Sequence, residues 1–203
     1  MIQENTYIVS DETREAVIID CGAYYDAERK AIVNYLKDKA LKPVHLLCTH
    51  GHFDHNFGND TIYREFGLKP EVAAEDEGWM DLRKQVRDMM GIDYEFEVPP
   101  VGQLLADGDV INFGTHQLKV LSTPGHSRGS VTFYCEAEQT AFSGDTLFQM
   151  SVGRTDFEGG SWNEMLNSLK HVLGVLPAET KVYPGHGEPT TIGYERQYNP
   201  YMR

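Results

Sequence analysis

The chain has 203 residues, of which 40% are hydrophobic, enough to bury one large core. Its 31 acidic residues against 18 basic ones give a net charge of -13, which argues against nucleic acid and anionic membranes as partners. No run approaches the roughly 18 to 20 apolar residues of a membrane span, no signal segment opens the chain, and the three cysteines lack framework spacing, so we expect a cytoplasmic protein with free thiols.

The first predicted elements are a hairpin and a helix. Residues 6–10 and 16–20 are strand-like runs separated by a short polar segment, which is typical of two paired strands. Residues 26–39 carry apolar side chains on one helical face, and Asp26 is suited to cap that helix.

Residues 43–48 predict a buried strand, and a cluster of polar residues follows directly after it. His50 and His52 alternate along an extended backbone, which places both imidazoles on one face where they can grip one ion. Asp54 and His55 come after a turn and can face a second ion. Neutral imidazole and carboxylate suit zinc, iron or manganese, whereas structural zinc sites usually recruit cysteine thiolates.

The next predicted elements alternate between helices and strands. Asn59–Phe66 predicts a helix closed by Gly67, residues 71–74 a strand, and residues 75–90 a charged amphipathic helix. Hairpins around residues 107–109 and 136–139 are expected to supply a second sheet, and residues 162–176 a further helix.

Three later segments repeat the context of the first histidine cluster, because each places a metal-binding residue after a strand-like run and beside Gly or Pro. They are His126 after residues 118–121, Asp145 after residues 140–142, and His186 after residues 181–183. Repetition of one context makes a chance histidine cluster improbable.

The glycine-rich segment at residues 151–157 is expected to rim the pocket. Arg154 offers a planar fork of N–H donors suited to a substrate carboxylate, and Asp156 is expected to orient the Arg154 side chain. An internal ion pair between these two residues is an equal alternative. Tyr25 is a further candidate for substrate binding.

The remaining histidines and the cysteines have simpler interpretations. His45, His116 and His171 lack the strand-end setting and are predicted to be structural or surface residues. Cys21 and Cys48 lie near the predicted site, but small apolar packing is the more common role of a free cysteine.

Two divalent ions held roughly 3.5 to 4 Å apart lower the pKa of a shared water from 15.7 to about 7 and so supply a hydrolytic hydroxide. One ion can also polarise a substrate carbonyl, so no Ser/His/Asp triad is required. We hypothesise that Asp54 orients the bridging hydroxide, because a carboxylate ligand can keep one oxygen free for a hydrogen bond.

The ordered motifs HxHxDH, PGH, GDTLF and PGHG resemble those of the metallo-β-lactamase superfamily, and within it the short glyoxalase II-like, or hydroxyacylglutathione hydrolase-like, enzymes. The resemblance implies two divalent metal ions, zinc first and iron or manganese as alternatives. It also implies the ligands: His50, His52 and His126 for the first ion, Asp54, His55 and His186 for the second, and Asp145 as the bridge.

The resemblance further implies an α/β (α+β) fold, a four-layer αβ/βα sandwich of two mixed sheets with helices on the outer faces. We expect residues 1–203 to form one such domain. The helical carboxyl-terminal domain that grips glutathione in larger relatives is not expected, since few residues follow His186.

The resemblance implies hydrolysis of a small thioester, such as an S-2-hydroxyacylglutathione or a related acyl thiol, to a hydroxy acid and a thiol. The alternative is sulfur oxidation like that of mononuclear-iron persulfide dioxygenases. Those enzymes share the HxHxDH motif and a GRTD-like loop with this chain. They usually have PAHDY, however, where this chain has PGHG around His186. True β-lactamases of the superfamily usually have Cys or Ser near the place of Asp145. The oligomeric state is left open.

Overall fold

The computed structural model describes residues 3–203, and its first half builds a five-stranded sheet. The strands are β1 (Tyr7–Ser10), β2 (Glu15–Ile19), β3 (Lys42–Leu47), β4 (Pro70–Ala73) and β5 (Leu104–Leu105). They lie side by side in chain order, with β1 antiparallel to β2 and the others parallel. The predicted hairpin at the start of the chain is therefore present.

The second half builds a six-stranded sheet and a short ribbon. The strands are β6 (Val110–Phe113), β7 (His116–Ser122), β8 (Val131–Cys135), β9 (Thr140–Gly144), β10 (Leu147–Phe148), β11 (Ser151–Val152), β12 (Lys181–Pro184) and β13 (Thr190–Thr191). The sheet order is β13-β12-β9-β8-β7-β6, and β10 pairs with β11 alone. β9 and β12 are parallel, and β7 runs in their direction because both β7 and β9 are antiparallel to β8.

The helices are α1 (Asp26–Asp38), α2 (Asn59–Phe66), α3 (Leu82–Met90), α4 (Trp162–Asn167) and α5 (Ile192–Tyr198). Short 3₁₀ turns cover Phe53–His55 and Ala74–Met80, and a π-type turn covers Ser168–Leu173. None of the helices in the described part of the chain has the length and apolarity needed to span a membrane.

The two sheets pack face to face over one core that both of them supply. Val17, Ile19 and Leu47 of the first sheet meet Phe133 and Phe142 of the second within this core. Alternating side chains of the strands point to the outer faces, where separate apolar clusters join each sheet to its helices. The result is the expected sandwich with helices outside both sheets.

The start of α1 differs from its predicted capping. Tyr25 is the N-cap and Asp26 is already helical. The carboxylate of Glu28 accepts hydrogen bonds from the backbone N–H groups of Tyr24 and Tyr25, at 3.0 and 2.9 Å. Glu28 therefore holds the entry to the helix by reaching back to the amides that precede it, and Asp26 is not the cap.

The predicted helix over residues 75–90 is wrong in its first half. A 3₁₀ turn ends at Met80, Asp81 leaves helical geometry, and α3 begins only at Leu82. The buried carboxylate of Asp76 accepts hydrogen bonds from the N–H groups of Gly51 and Gly129 at 2.9 and 2.7 Å. These tertiary bonds hold the segment against two loops and override its helical pattern.

The predicted hairpin around residues 107–109 is also wrong, although its turn is present. Gly108 has φ +85° and the N–H of Ala106 donates to the carboxylate of Asp109 at 2.8 Å, as in a tight Asp-Gly turn. The strands on either side belong to different sheets, because β5 pairs with β4 and β6 pairs with β7. The turn carries the chain from one sheet to the other.

The predicted helix over residues 162–176 ends early. It widens into the π-type turn and stops at Leu173, where the N–H of Gly174 donates to the carbonyl of Leu169 at 2.8 Å. A side chain at Gly174 would crowd that carbonyl. The ribbon of β10 and β11 and the helix α5 were not predicted.

Candidate metal centre

Seven polar side chains from both halves of the chain converge at one edge of the sandwich. The segment after β3 supplies four of them, and the loops after β7, β9 and β12 supply one each. Strands of one direction end at one edge of a sheet, which brings the three loops together. The side chains are His50, His52, Asp54, His55, His126, Asp145 and His186.

His50, His52 and His126 form a first trio whose ring nitrogens lie within 4.8 Å of one another. His52 Nδ1 and His126 Nε2 are 2.8 Å apart. The ring centroids of His50 and His126 are separated by 4.9 Å. All three side chains are buried. Three imidazoles that face one point are suited to a metal ion with a further coordination position open.

Asp54, His55 and His186 form a second trio beside the first. His55 Nε2 lies 3.2 Å from His186 Nε2. Asp54 Oδ2 lies 3.5 Å from His186 Nε2 and 4.0 Å from His55 Nε2. The 3₁₀ turn Phe53–His55 places the consecutive residues Asp54 and His55 beside His186, and the His55 ring also lies 4.2 Å from that of His50, centroid to centroid.

Asp145 lies between the two trios. Its Oδ2 is 3.6 Å from His126 Nε2 and 3.6 Å from His186 Nε2, while its Oδ1 is 3.4 Å from His55 Nε2. One carboxylate thus faces nitrogens of both trios, as a ligand shared by two ions would.

Two buried atoms in this cluster have no hydrogen-bond partner among the described residues. They are Nε2 of His50 and Oδ1 of Asp145, and both are directed to the points where the trios converge. A buried polar atom without a partner is costly and points to an ion or a water. The donor set of imidazoles and carboxylates fits divalent metal ions, and the three cysteines are buried outside it.

The second nitrogen of several histidines is fixed by a neighbouring residue. Asp20 Oδ2 lies 3.0 Å from His55 Nδ1 and accepts the Thr49 hydroxyl at 2.7 Å. Thr49 Oγ1 is in turn 3.0 Å from His50 Nδ1. Asp20 therefore orients one histidine of each trio, His55 directly and His50 through Thr49. Sequence reasoning missed Asp20, although it lies directly after β2, the strand that neighbours β3 in parallel.

Backbone carbonyls fix two further rings. His126 Nδ1 lies 2.8 Å from the carbonyl of Arg154, and His186 Nδ1 contacts the carbonyl of Gln3. Each contact assigns the proton to Nδ1 and leaves Nε2 free to face the cluster.

Burial and neighbouring imidazoles keep His50 and His52 neutral. Burial, reinforced by nearby His126, lowers the pKa of His52 to about 4, and burial lowers the pKa of His50 well below its usual range. Burial alone would raise the pKa of Asp54, but the hydrogen bond to His186 and nearby His55 lower this pKa to about 2. At neutral pH these groups present lone pairs rather than protons to a metal ion.

Gly153 permits the close approach that holds Asp145 in place. A Cβ atom at Gly153 would lie 1.8 Å from the backbone carbonyl oxygen of Asp145 and 3.3 Å from His126 Nδ1. Only a residue without a side chain therefore fits between β11 and the loop after β9.

We expect Gly153→Ala to lower metal content and to destabilise the fold by about 1 to 3 kcal/mol, because the added methyl must displace the backbone of Asp145. The matched control is Gly78→Ala, where no heavy atom lies within 4 Å of the added carbon. Metal analysis and urea unfolding of both variants measure the effect. Full metal content in Gly153→Ala would contradict it.

Arg154 and Asp156 form the internal ion pair that was one of two alternatives. Arg154 Nε and Nη2 each donate to Asp156 at 2.6 Å, and both side chains are exposed. The guanidinium lies 4.0 Å from the centroid of the Phe157 ring. Arg154 also lines the cleft of about 440 Å³ into which the cluster opens, whereas Tyr25 lines a neighbouring cavity.

The histidines predicted to lie outside the site are separate from the cluster. His45 Nδ1 contacts Glu71 Oε1 at 2.7 Å, His116 Nδ1 contacts Asp11 at 3.3 Å, and His171 is exposed. The hydrogen bond that His45 donates to the carboxylate of Glu71 raises the pKa of His45, against the opposing effect of partial burial.

The pair of His45 and Glu71 makes stability depend on pH in a defined direction. A raised folded-state pKa means that the contribution of His45 is present below the unfolded pKa of about 6.5 and is lost as pH rises through the folded value. We expect His45→Gln to cost about 1 kcal/mol at pH 5.5 and less at pH 9. Urea unfolding at both values tests this, with the exposed His171→Gln as control. An equal cost at both values would contradict it.

A family model and sequence relatives among known proteins both indicate the same family. The family model described as Metallo-beta-lactamase superfamily matches residues 2–186. Probable metallo-hydrolase YqgX of Bacillus subtilis is 34% identical over 202 residues, which cover 99% of this chain and 93% of the relative. Hydroxyacylglutathione hydrolase GloC of Haemophilus influenzae is 30% identical over 208 residues, which cover 98% and 93%.

Solved structures agree with the fold. BLEG-1, described as a B3 metallo-beta-lactamase, superposes with a TM-score of 0.90 at 36% identity and covers 99% of this chain and 95% of its own. TTHA1623 in a di-iron-bound form superposes with a TM-score of 0.84 at 34% identity, and the match covers 98% of this chain and 95% of TTHA1623. ETHE1 from Myxococcus xanthus superposes with a TM-score of 0.79 at 27% identity, and the match covers 98% of this chain and 84% of ETHE1.

Proposed function

Because the chain belongs to the metallo-beta-lactamase superfamily, we propose that it is a metal-dependent hydrolase of small thioesters. The proposed substrate is an S-2-hydroxyacyl derivative of glutathione or a related thiol, and the products are a hydroxy acid and the free thiol. The relative named hydroxyacylglutathione hydrolase supports this choice. The proposal is carried by two trios of ligands that share Asp145 and leave a buried histidine nitrogen without a partner.

The seven residues of the cluster would hold two divalent ions, zinc first and iron or manganese as alternatives. Bound there, such ions supply a water of lowered pKa and polarise the thioester carbonyl. Iron is compatible with this donor set, and a relative of 34% identity is described in a di-iron form.

The chain itself supplies orientation and a dry setting. Asp54 is half-buried on the side of His186, and its carboxylate is placed to accept a hydrogen bond from the attacking water and so to orient its lone pair. Phe148 and Phe157 border the cleft and limit access of bulk water to it. A departing thiolate needs little protonation, because the pKa of a free thiol is near 8.5.

We also propose that the partners are small molecules rather than nucleic acid or membranes, since the net charge is -13. The three buried cysteines are free thiols, which supports a reducing, cytoplasmic setting.

The test is turnover of S-D-lactoylglutathione and other acyl thiols by protein loaded with zinc, iron or manganese, with metal-depleted protein as control. Metal analysis accompanies each assay. Two ions per chain and release of free thiol support the proposal. Absence of thiol release from every substrate in all three metal forms would refute it.

Persulfide oxidation with one iron is the second candidate, and the likeness to ETHE1 at 27% identity supports testing it. One iron per chain, together with oxygen uptake on a persulfide, would favour it. β-Lactam hydrolysis belongs in the same panel, because a neighbour of 36% identity is described as a B3 metallo-beta-lactamase.

A further inference from the structure

A second cavity of about 630 Å³ adjoins the cleft of the metal-ligand cluster. We call it the α1 chamber, because residues at the start of α1 form one of its walls. Phe53 and Asp54 line both the chamber and the cleft. The two cavities are therefore neighbours at Phe53 and Asp54, so a group attached to a bond that reacts beside Asp54 has the chamber within reach.

The walls of the chamber are mostly apolar, with a few polar residues among them, and aromatic contacts hold the apolar part together. The ring centroids of Tyr24 and Phe57 are 4.9 Å apart, and those of Phe53 and Phe57 are 5.2 Å apart. Ile32 and Met90 complete the apolar lining. Interlocked rings of this kind make a preformed site, which costs little reorganisation when it is filled.

No lysine or arginine is among the described residues that line the chamber. The carboxylate of Glu28 is engaged by the N–H groups of Tyr24 and Tyr25, and Oε2 of Glu4 accepts the hydroxyl of Thr6 at 3.0 Å, while Oε1 of Glu4 has no partner among the described residues. An anionic group that entered the chamber would lose its hydration and gain no cation. The chamber therefore disfavours an anion, and its mostly apolar walls suit an apolar group.

On the side of His52, the cleft adjoins a cavity with a more polar lining. A cavity of about 480 Å³ there is lined by several charged residues, including Lys84, Arg128 and Glu158. His52 borders both this polar cavity and the cleft. The surroundings of the metal-ligand cluster are thus asymmetric, apolar at Asp54 and charged at His52.

We propose that the α1 chamber binds the acyl group of the thioester and, among 2-hydroxyacyl and related acyl groups, selects those with large apolar substituents, such as medium-chain or aryl ones, over lactoyl. The proposal rests on the proposed thioester hydrolysis and extends it. At about 30 Å³ for each water-sized group, the chamber has room for about 20 non-hydrogen atoms. A lactoyl group has only five, so it leaves most of this apolar volume unused.

The first test compares acetyl, lactoyl, hexanoyl and phenylacetyl thioesters of one thiol, N-acetylcysteamine, on the metal-loaded full chain. Each buried methylene is worth about 0.8 kcal/mol, or about fourfold, so kcat/KM for hexanoyl is expected to exceed that for acetyl on the order of 100-fold. Turnover that does not rise with acyl size overturns the chamber proposal while leaving thioester hydrolysis intact.

The second test fills the chamber from α1. Ala31 is an exposed residue that lines it, so Ala31→Phe should lower the hexanoyl-to-acetyl ratio of kcat/KM at least tenfold. Ala27→Phe places the same side chain one turn earlier on the same helix, outside the chamber, and should keep the ratio. Equal ratios in the two variants would overturn the proposal.

A binding measurement separates the two proposals. The thioether S-hexyl-N-acetylcysteamine lacks the scissile carbonyl, and calorimetry should show that it binds with a negative heat-capacity change. Binding kept in Ala27→Phe and lost in Ala31→Phe, without turnover of any thioester, would support the chamber and refute the hydrolase proposal. Equal binding by both variants would refute the chamber.

Discussion

The Asp54→Asn variant is expected to keep its metal ions and to lose about 100- to 1000-fold in kcat. The amide retains one oxygen that can face His55 and His186, as Asp54 Oδ2 does at 4.0 and 3.5 Å. It cannot accept a proton as a carboxylate does, and its NH₂ group presents donors where an acceptor is needed. The loss should therefore fall on kcat rather than on KM.

Metal analysis and steady-state kinetics on the best thioester measure this effect. The control is Asp38→Asn, the same substitution at an exposed position near the end of α1, which should leave both quantities unchanged. Full turnover in an Asp54→Asn protein with two ions would exclude the orienting role. Loss of one ion would show instead that Asp54 serves chiefly as a ligand.

The grouping of the seven candidate ligands could be predicted from the sequence, because each follows a strand and strands of one direction end at one edge. The alternation of His50 and His52 and the turn before His55 predicted that these pairs face different points, whereas the assignment of His126 and His186 to one trio or the other came only from the family resemblance. Asp20 could not be found in this way. It belongs to no histidine motif, and only the pairing of β2 with β3 brings it to His55.

The fold was predictable where periodicity and turn chemistry decide the structure, and not where tertiary contacts do. The Asp-Gly turn at residues 107–109 was recognised, but local sequence does not reveal that its strands diverge into different sheets. The segment before Asp81 has a helical pattern, yet Asp76 is committed to backbone amides of distant loops. Arg154 and Asp156 illustrate the same limit, since their pairing required coordinates.

A buried ion pair joins α1 to α2, the helix that follows the segment with His50, His52, Asp54 and His55. The guanidinium of Arg29 contacts the carboxylate of Asp60 and the carbonyl of Phe57, and it donates to the hydroxyl of Thr61 at 2.8 Å. The side chains of Arg29 and Asp60 are only 5% and 2% exposed. Sequence patterns gave no sign of this pair, because Arg29 resembles any exposed charge on an amphipathic helix.

We expect Arg29→Met to lower the free energy of unfolding by about 3 to 5 kcal/mol, because it leaves the carboxylate of Asp60 buried without its cation. The matched control is Lys37→Met, since Lys37 pairs with Glu65 between the same two helices at 2.9 Å but in solvent, and its loss should cost under about 1 kcal/mol. Urea unfolding compares the two variants. The double variant Arg29→Met with Asp60→Leu should recover much of the loss, because no charge is then left unpaired in the interior. If Arg29→Met lowers the free energy of unfolding no more than Lys37→Met does, burial does not set the strength of the pair, and the contact with Asp60 has no special role in holding α1 against α2.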